Sequence, residues 1–247
     1  MSTLKDQLRE KMLFFLEHLT AEGGTGHQGS IPEFDYYALD YLDFAELNLR
    51  RYDAATSDRE RENELIGCVS NLKRALDCQI ECFLSSWSLR KAVKKRNLGL
   101  DAKLRFLADV GFFSSRTINR FTVVRNRIEH DFQRPDIRDL EALFDLVSAF
   151  VAILQTPMTP GFEDHMDFSL HFQAPEERQG NLSIADNGKA KKFVAEWWLD
   201  TDPPQEGKLE ASFANPEDFA YFFRVLLLLN QFYSFASYEH IRARLQA

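Results

Sequence analysis

Hydrophobic residues recur every three or four positions through roughly the first 155 residues, and at every second position in several stretches after residue 162. The first spacing places apolar side chains on one face of an α-helix, and the second places them on one face of a β-strand. Helices are therefore predicted over residues 4–19, 32–52, 57–90, 100–110, 116–134, 137–154, 219–232 and 238–245, and strands over residues 166–173, 182–185, 193–199 and 209–213.

The change of period falls at residues 156–161, Thr-Pro-Met-Thr-Pro-Gly, which is a typical boundary composition. We predict an α+β chain: an all-α bundle over residues 1–156, then a small antiparallel sheet with one or two packed helices over residues 162–247. The role of the second domain is not evident from its residues. The glycine-rich residues 22–30 follow a helix and lack the ending of a phosphate-binding loop, so we predict a linker there.

Trp197 and Trp198 would point to opposite faces of a regular strand. An exposed tryptophan would suit a contact surface, but we expect both to lie in the core beneath the helix that begins at Phe219.

Composition favours a globular protein of the cytoplasm. The chain has 247 residues, of which 45% are hydrophobic, enough for a packed core. Its N-terminus is charged and its strongest apolar stretches are interrupted by Asp145 and Arg224, so we expect neither secretion nor membrane insertion. Three cysteines fit reduced thiols better than disulfides. Cys78 and Cys82 lack a second ligand pair, so we predict no metal site and no cofactor.

Charge is segregated along the chain, whose formal net charge is −8. The segment from Arg90 to Arg138 contains 13 Lys and Arg against 5 Asp and Glu, so the rest of the chain is strongly acidic. Such a segment can attract a polyanion to one face of the molecule. Taken alone, its lysine-rich run at residues 91–96 is interpreted as the solvated end of a helix, where cations also suit the macrodipole.

The helix predicted over residues 116–134 carries an arginine within an apolar stripe, formed by Ile118, Phe121, Arg125, Ile128 and Phe132. A guanidinium does not lose its charge, so Arg125 must be paired, reach water or bind an anion. Asn126 and His130 lie four residues apart on the adjacent edge of the helix, so a cation, an amide and an imidazole can converge on one ligand.

The sequence Arg125-Asn126-x-x-x-His130 resembles the R-x4-6-H signature of the HEPN (higher eukaryotes and prokaryotes nucleotide-binding) superfamily, many members of which cleave RNA. The family places this motif late in a bundle of long helices. Residues 65–84 resemble the long helix before the motif, and residues 104–113 resemble the short one. The HEPN-like core spans residues 57–155, about 40% of the chain.

The resemblance implies a metal-independent endoribonuclease in which Arg125 and His130 are catalytic and Asn126 is the polar residue that follows the arginine. It also implies a homodimer in which two motifs face each other, and a role as a toxin or phage-defence effector with an antitoxin or other protein partner. One position departs from the pattern. HEPN toxins that are silenced by nucleotidyltransferases have R-x4-H-x-Y, whereas this chain has Phe132 at the tyrosine position.

Arg116, Arg120, Arg127 and Arg134 cluster on the wheel opposite the apolar stripe, and we expect them to bind RNA phosphates. Two alternatives remain. Arg125 could pair with a buried acid such as Glu64 or Asp77, or the chain could be an inactive HEPN-like scaffold that binds protein or nucleic acid.

Overall fold

The computed structural model describes residues 3–16, 19–26, 29–114, 116, 123, 137–159, 162–171, 179–187, 190–231 and 235–246. It confirms the α+β class, with most helices in the N-terminal part and an antiparallel sheet in the C-terminal part. In chain order the described elements are α1 (Leu4–Leu16), β1 (Leu19–Gly26), α2 (Ala38–Ala54), α3 (Asp58–Ser86), α4 (Arg90–Lys95), α5 (Leu100–Val110), α6 (Ile137–Gln155), a 3-10 turn (Thr156–Met158), β2 (Glu163–His171), β3 (Gln179–Asn187), β4 (Lys192–Leu199), β5 (Gln205–Ser212), α7 (Pro216–Gln231) and α8 (Tyr238–Gln246).

The chain forms two compact units. The helical unit comprises residues 29–108 and 112–158, and the sheet unit comprises residues 1–28, 109–111 and 159–247. This division differs from the predicted bundle over residues 1–156 at its N-terminus, because the first 28 residues belong with the sheet.

Helix α3 is the longest described helix and is anchored at its start by a capping box. Ser57 Oγ accepts a hydrogen bond from the Glu60 amide at 3.3 Å, and Glu60 Oε2 accepts one from the Ser57 amide at 3.1 Å. The predicted inward residues of α3 are buried, and the helix packs against α2 and α6. The predicted helix is confirmed, although it ends at Ser86 and α4 begins separately at Arg90.

The sheet has five described strands in the order β1-β2-β3-β4-β5, with every neighbouring pair antiparallel. Leu19 is paired with Leu170 and Gly26 with Glu163, so the N-terminal strand forms an edge beside β2. The prediction of a linker at residues 22–30 was therefore wrong for residues 22–26. Their backbone groups pair with a strand far along the chain, and local composition does not reveal a non-local partner.

The inner face of the sheet is covered by α7. The Phe193 ring on β4 lies 4.9 Å from that of Phe219 and 5.3 Å from that of Phe223, centroid to centroid. Trp197 is half-buried on this face, whereas Trp198 is 47% exposed on the other face. The prediction that both tryptophans lie in the core was therefore wrong for Trp198, because strand alternation places it on the face that α7 does not cover.

Among the helices of the described residues, none combines the length and the apolar character that crossing a membrane requires.

Candidate functional site

The three predicted catalytic residues, Arg125, Asn126 and His130, lie outside the described residues. The predicted RNA-binding residues Arg120, Arg127 and Arg134 lie outside them as well, and only Arg116 of that set is described. What the structure defines is the frame that precedes and follows the motif.

On the N-terminal side, the chain leaves α5 through a glycine turn and is then anchored by two aromatic rings. Gly111 has a φ of 107°, a left-handed conformation that favours glycine. The Phe112 ring meets that of Phe83 on α3 edge-on at 5.4 Å, and the Phe113 ring stacks on that of Phe150 on α6 at 4.2 Å. The segment that enters the motif is therefore fixed to the two long helices of the helical unit.

On the C-terminal side, the chain is again anchored where α6 begins. Leu140, Leu143 and Val147 on this helix are buried, and α6 packs against α2 and α3. In chain order, α3, α4 and α5 therefore precede the motif segment and α6 follows it.

Arg116 and Val123 are the two described residues of the motif segment. Both are helical and exposed, Val123 by 51%. In the single helix predicted from the sequence over residues 116–134, positions seven apart lie about 20° from each other, so these two side chains are expected on one side. In that predicted helix this side lies opposite Phe121 and carries the basic residues. Arg116 thus has the exposure that contact with a phosphate requires.

Neither acid suggested as an internal partner for Arg125 is buried. Glu64 is half-buried and accepts a hydrogen bond from Asn48 Nδ2 at 2.6 Å. Asp77 is exposed. The two residues therefore lack the burial that this alternative assumes.

The helical unit also contains a basic cleft that was not predicted from the sequence. It has a volume of about 610 Å³ and lies among the end of α3, α4 and the start of α5. Its lining is formed by Glu81, Arg90, Lys91, Val93, Lys94, Asn97, Leu98 and Lys103. We refer to this site as the basic cleft. Its sequence signal was the lysine-rich run at residues 91–96, but Glu81 and Lys103 are brought to the run only by the fold.

Glu81 organises two of the four cations of the basic cleft. Its Oε2 accepts a hydrogen bond from Arg90 Nε at 3.1 Å, and its Oε1 accepts one from Lys103 Nζ at 2.9 Å. Lys91 and Lys94 are exposed and form no ion pair within the described part of the chain. One carboxylate thus faces four cations, and the cleft keeps a positive excess.

The thiols do not suggest nucleophilic chemistry. Burial raises the pKa of Cys68 to about 11 and that of Cys82 to about 12, and it also raises the pKa of the half-buried Cys78. These groups are therefore protonated at neutral pH. Within the described ranges, no group of three or more His, Cys, Asp or Glu side chains is placed to hold a metal ion.

No protein-family model matches the chain, and neither a curated protein nor a solved structure shows significant similarity to it. The functional assignment therefore depends on the residues of this chain.

Proposed function

We propose that the protein is a metal-independent endoribonuclease of the HEPN type, with Arg125, Asn126 and His130 at its catalytic site. The observation that carries the proposal is the position of the Arg-x4-His sequence, between α5 and α6 of a helical unit whose long helix precedes it. The exposed Arg116 and the excess of cations between Arg90 and Arg138 also support it, because an RNA substrate is a polyanion.

The chemistry requires three functions. A base removes the proton of a ribose 2′-hydroxyl, whose oxygen attacks the adjacent phosphorus. An acid then protonates the departing 5′-oxygen, and a cation stabilises the charge that builds on the phosphoryl oxygens. A histidine with the ordinary pKa of about 6.5 serves as base or acid at neutral pH, and an arginine offers forked donors to a non-bridging oxygen. The Asn126 amide can donate to the same phosphate.

Further parts of the proposal concern the assembly and its setting. Arg116, Arg120, Arg127 and Arg134 bind RNA phosphates that lead to the site. The active form is a homodimer in the cytoplasm, in the role of a toxin or phage-defence effector controlled by an antitoxin or another protein partner. Control by modification of a tyrosine in the motif does not apply, because residue 132 is phenylalanine.

The chemical assignment is tested by alanine variants. We expect His130→Ala and Arg125→Ala to remain folded and to lose about 10²-fold or more of RNA cleavage, with no effect of EDTA on the wild-type protein. Cleavage of a labelled RNA is measured by gel electrophoresis, and folding by circular dichroism. His240→Ala is the matched control, because His240 is exposed on α8 in the sheet unit. Wild-type cleavage by His130→Ala would contradict the assignment.

An inactive scaffold is the second candidate, and the surface of α2 favours it. Leu39 is 56% exposed and Leu47 is 42% exposed, and Tyr36 and Phe44 form an exposed edge-on ring pair at 5.4 Å. Exposed apolar side chains of this kind suit a protein partner. A scaffold would keep its partner when Arg125 and His130 are replaced, so the same alanine variants distinguish the two functions.

A further inference from the structure

We propose that the basic cleft, formed by the end of α3, α4 and the start of α5, binds the phosphate groups of an RNA strand. The choice of RNA as the ligand rests on the proposed function. The cleft itself is defined by described residues of the helical unit alone.

The charge of the basic cleft favours an anionic ligand. Among the described residues, the lining contains Arg90, Lys91, Lys94 and Lys103 against a single acid, Glu81. A cleft lined by one sign of charge concentrates the field and attracts ions of the opposite sign. The acidic remainder of the chain strengthens the contrast between this site and other surfaces.

The fold holds the cations of the basic cleft in place before a ligand binds. Val93 is buried and fixes α4 to the unit, so that Lys91 and Lys94, three residues apart, project from neighbouring positions on one side of the helix. Asn97 then adopts a positive φ of 50°, and the chain turns into α5, which brings Lys103 to the same cleft. Glu81 accepts hydrogen bonds from both Arg90 and Lys103 and so holds these two cations in place.

The volume and the lining of the basic cleft indicate the type of ligand. A volume of about 610 Å³ exceeds what a single phosphate group fills, and Val93 and Leu98 give the cleft an apolar component beside its cations. A nucleotide of an RNA strand combines a phosphate with a ribose and a base, and so matches both features. An acidic protein segment is the competing ligand, and the binding test below distinguishes it from RNA.

Lys91 and Lys94 are the residues to replace, because neither supports Glu81. Replacement of Arg90 or Lys103 would instead release the carboxylate into the cleft. In the Lys91→Gln/Lys94→Gln variant we expect the Kd for single-stranded RNA to rise about 10-fold. The magnitude of the slope of log K against log salt should fall by about 0.7 for each lost phosphate contact, and so by up to about 1.4 for the pair. Lys91→Arg/Lys94→Arg should retain the wild-type values.

Binding is measured with a fluorescent RNA oligonucleotide and the full chain carrying His130→Ala, at NaCl concentrations from about 50 to 300 mM. The matched control is Arg59→Gln/Arg74→Gln, which removes the same charge from exposed positions of α3 outside the cleft. If the cleft is a specific site, the control pair of substitutions should lower the affinity for RNA slightly and the cleft pair should lower it strongly.

Equal losses for the two pairs, or an unchanged salt slope for the cleft pair, would overturn the proposal. Failure of RNA to bind the His130→Ala chain with its cleft intact would overturn it as well, and would leave an acidic protein segment as the ligand to examine. These outcomes are separate from those of the nuclease proposal. A chain that binds RNA through the cleft but leaves it uncleaved would contradict the nuclease and support the cleft.

Discussion

At the scale of single residues, Gly207 has no side chain and so leaves room for the indole of Trp197 in the sheet unit. The two residues are opposite each other on β5 and β4, and a Cβ atom added at Gly207 would lie 2.1 Å from Trp197 Cζ2. The indole therefore lies directly over the glycine. Lys11 Nζ approaches the same ring to 5.6 Å from its centroid, which adds a cation–π contact from α1.

We predict that Gly207→Ala destabilises the sheet unit by about 2–4 kcal/mol, because the added methyl group occupies the space of the indole. Chemical denaturation followed by tryptophan fluorescence measures the effect, since two of the three tryptophans lie on β4. Gly99→Ala is the matched control, because a Cβ atom there meets nothing within 4 Å. A loss below about 0.5 kcal/mol at Gly207 would mean that Trp197 moves aside freely.

At the scale of elements, β2 and β3 bring two carboxyl groups together in the sheet unit. Burial, together with the negative charge of Asp164, raises the pKa of the half-buried Asp186 to about 7. The folded protein thus retains a proton on Asp186 up to about pH 7, whereas the unfolded chain releases it near the ordinary value of 3.8. Stability from this group is present below pH 4 and is lost as the pH rises towards 7.

We predict that Asp186→Asn removes this loss. The variant should be more stable than the wild type by about 2 kcal/mol at pH 8 and nearly as stable as the wild type at pH 4. The difference at pH 8 is smaller than the full pKa shift implies, because the carboxyl group keeps partial access to water. Urea denaturation at the two pH values provides the test. Asp200→Asn, an exposed acid in the same unit, controls for the loss of one negative charge. A pH-independent difference between variant and wild type would contradict the prediction.

Most of the described helices were predictable because their signals are local. The Ser57 cap and the apolar stripe of α3 lie within one stretch of sequence, and the predicted bounds of α5 agree with the structure at both ends. Strand β1 was not predictable, because its partner lies far along the chain and glycine gives no periodic signal. Only part of the basic cleft could be predicted from the sequence. Its lysines form a run, but the opposing Glu81 and the flanking Lys103 meet them through tertiary packing.

At the scale of the whole molecule, we predict that the active nuclease is a homodimer. In-line transfer requires a base on one side of the phosphorus and an acid on the other, and one motif supplies a single histidine. A second copy related by two-fold symmetry supplies the other imidazole. Sedimentation at micromolar concentration should therefore show a dimer.

Subunit mixing tests whether the two copies share one site. Addition of inactive His130→Ala chain to a fixed amount of wild type should reduce cleavage if each site needs both histidines, and should leave it unchanged if the sites are independent. A monomer with full activity on dilution would contradict the shared site.

The discontinuous sheet unit also determines the order in which the chain can fold during its synthesis. Strand β1 emerges from the ribosome about 150 residues before its partner β2. At about 5–20 residues per second, that delay lasts roughly 8–30 s. The helical unit emerges during this interval and can collapse first, while the backbone amides and carbonyls of β1 have no native strand to pair with. The N-terminal segment is thus the earliest part of the chain to be made and among the last to reach its native contacts.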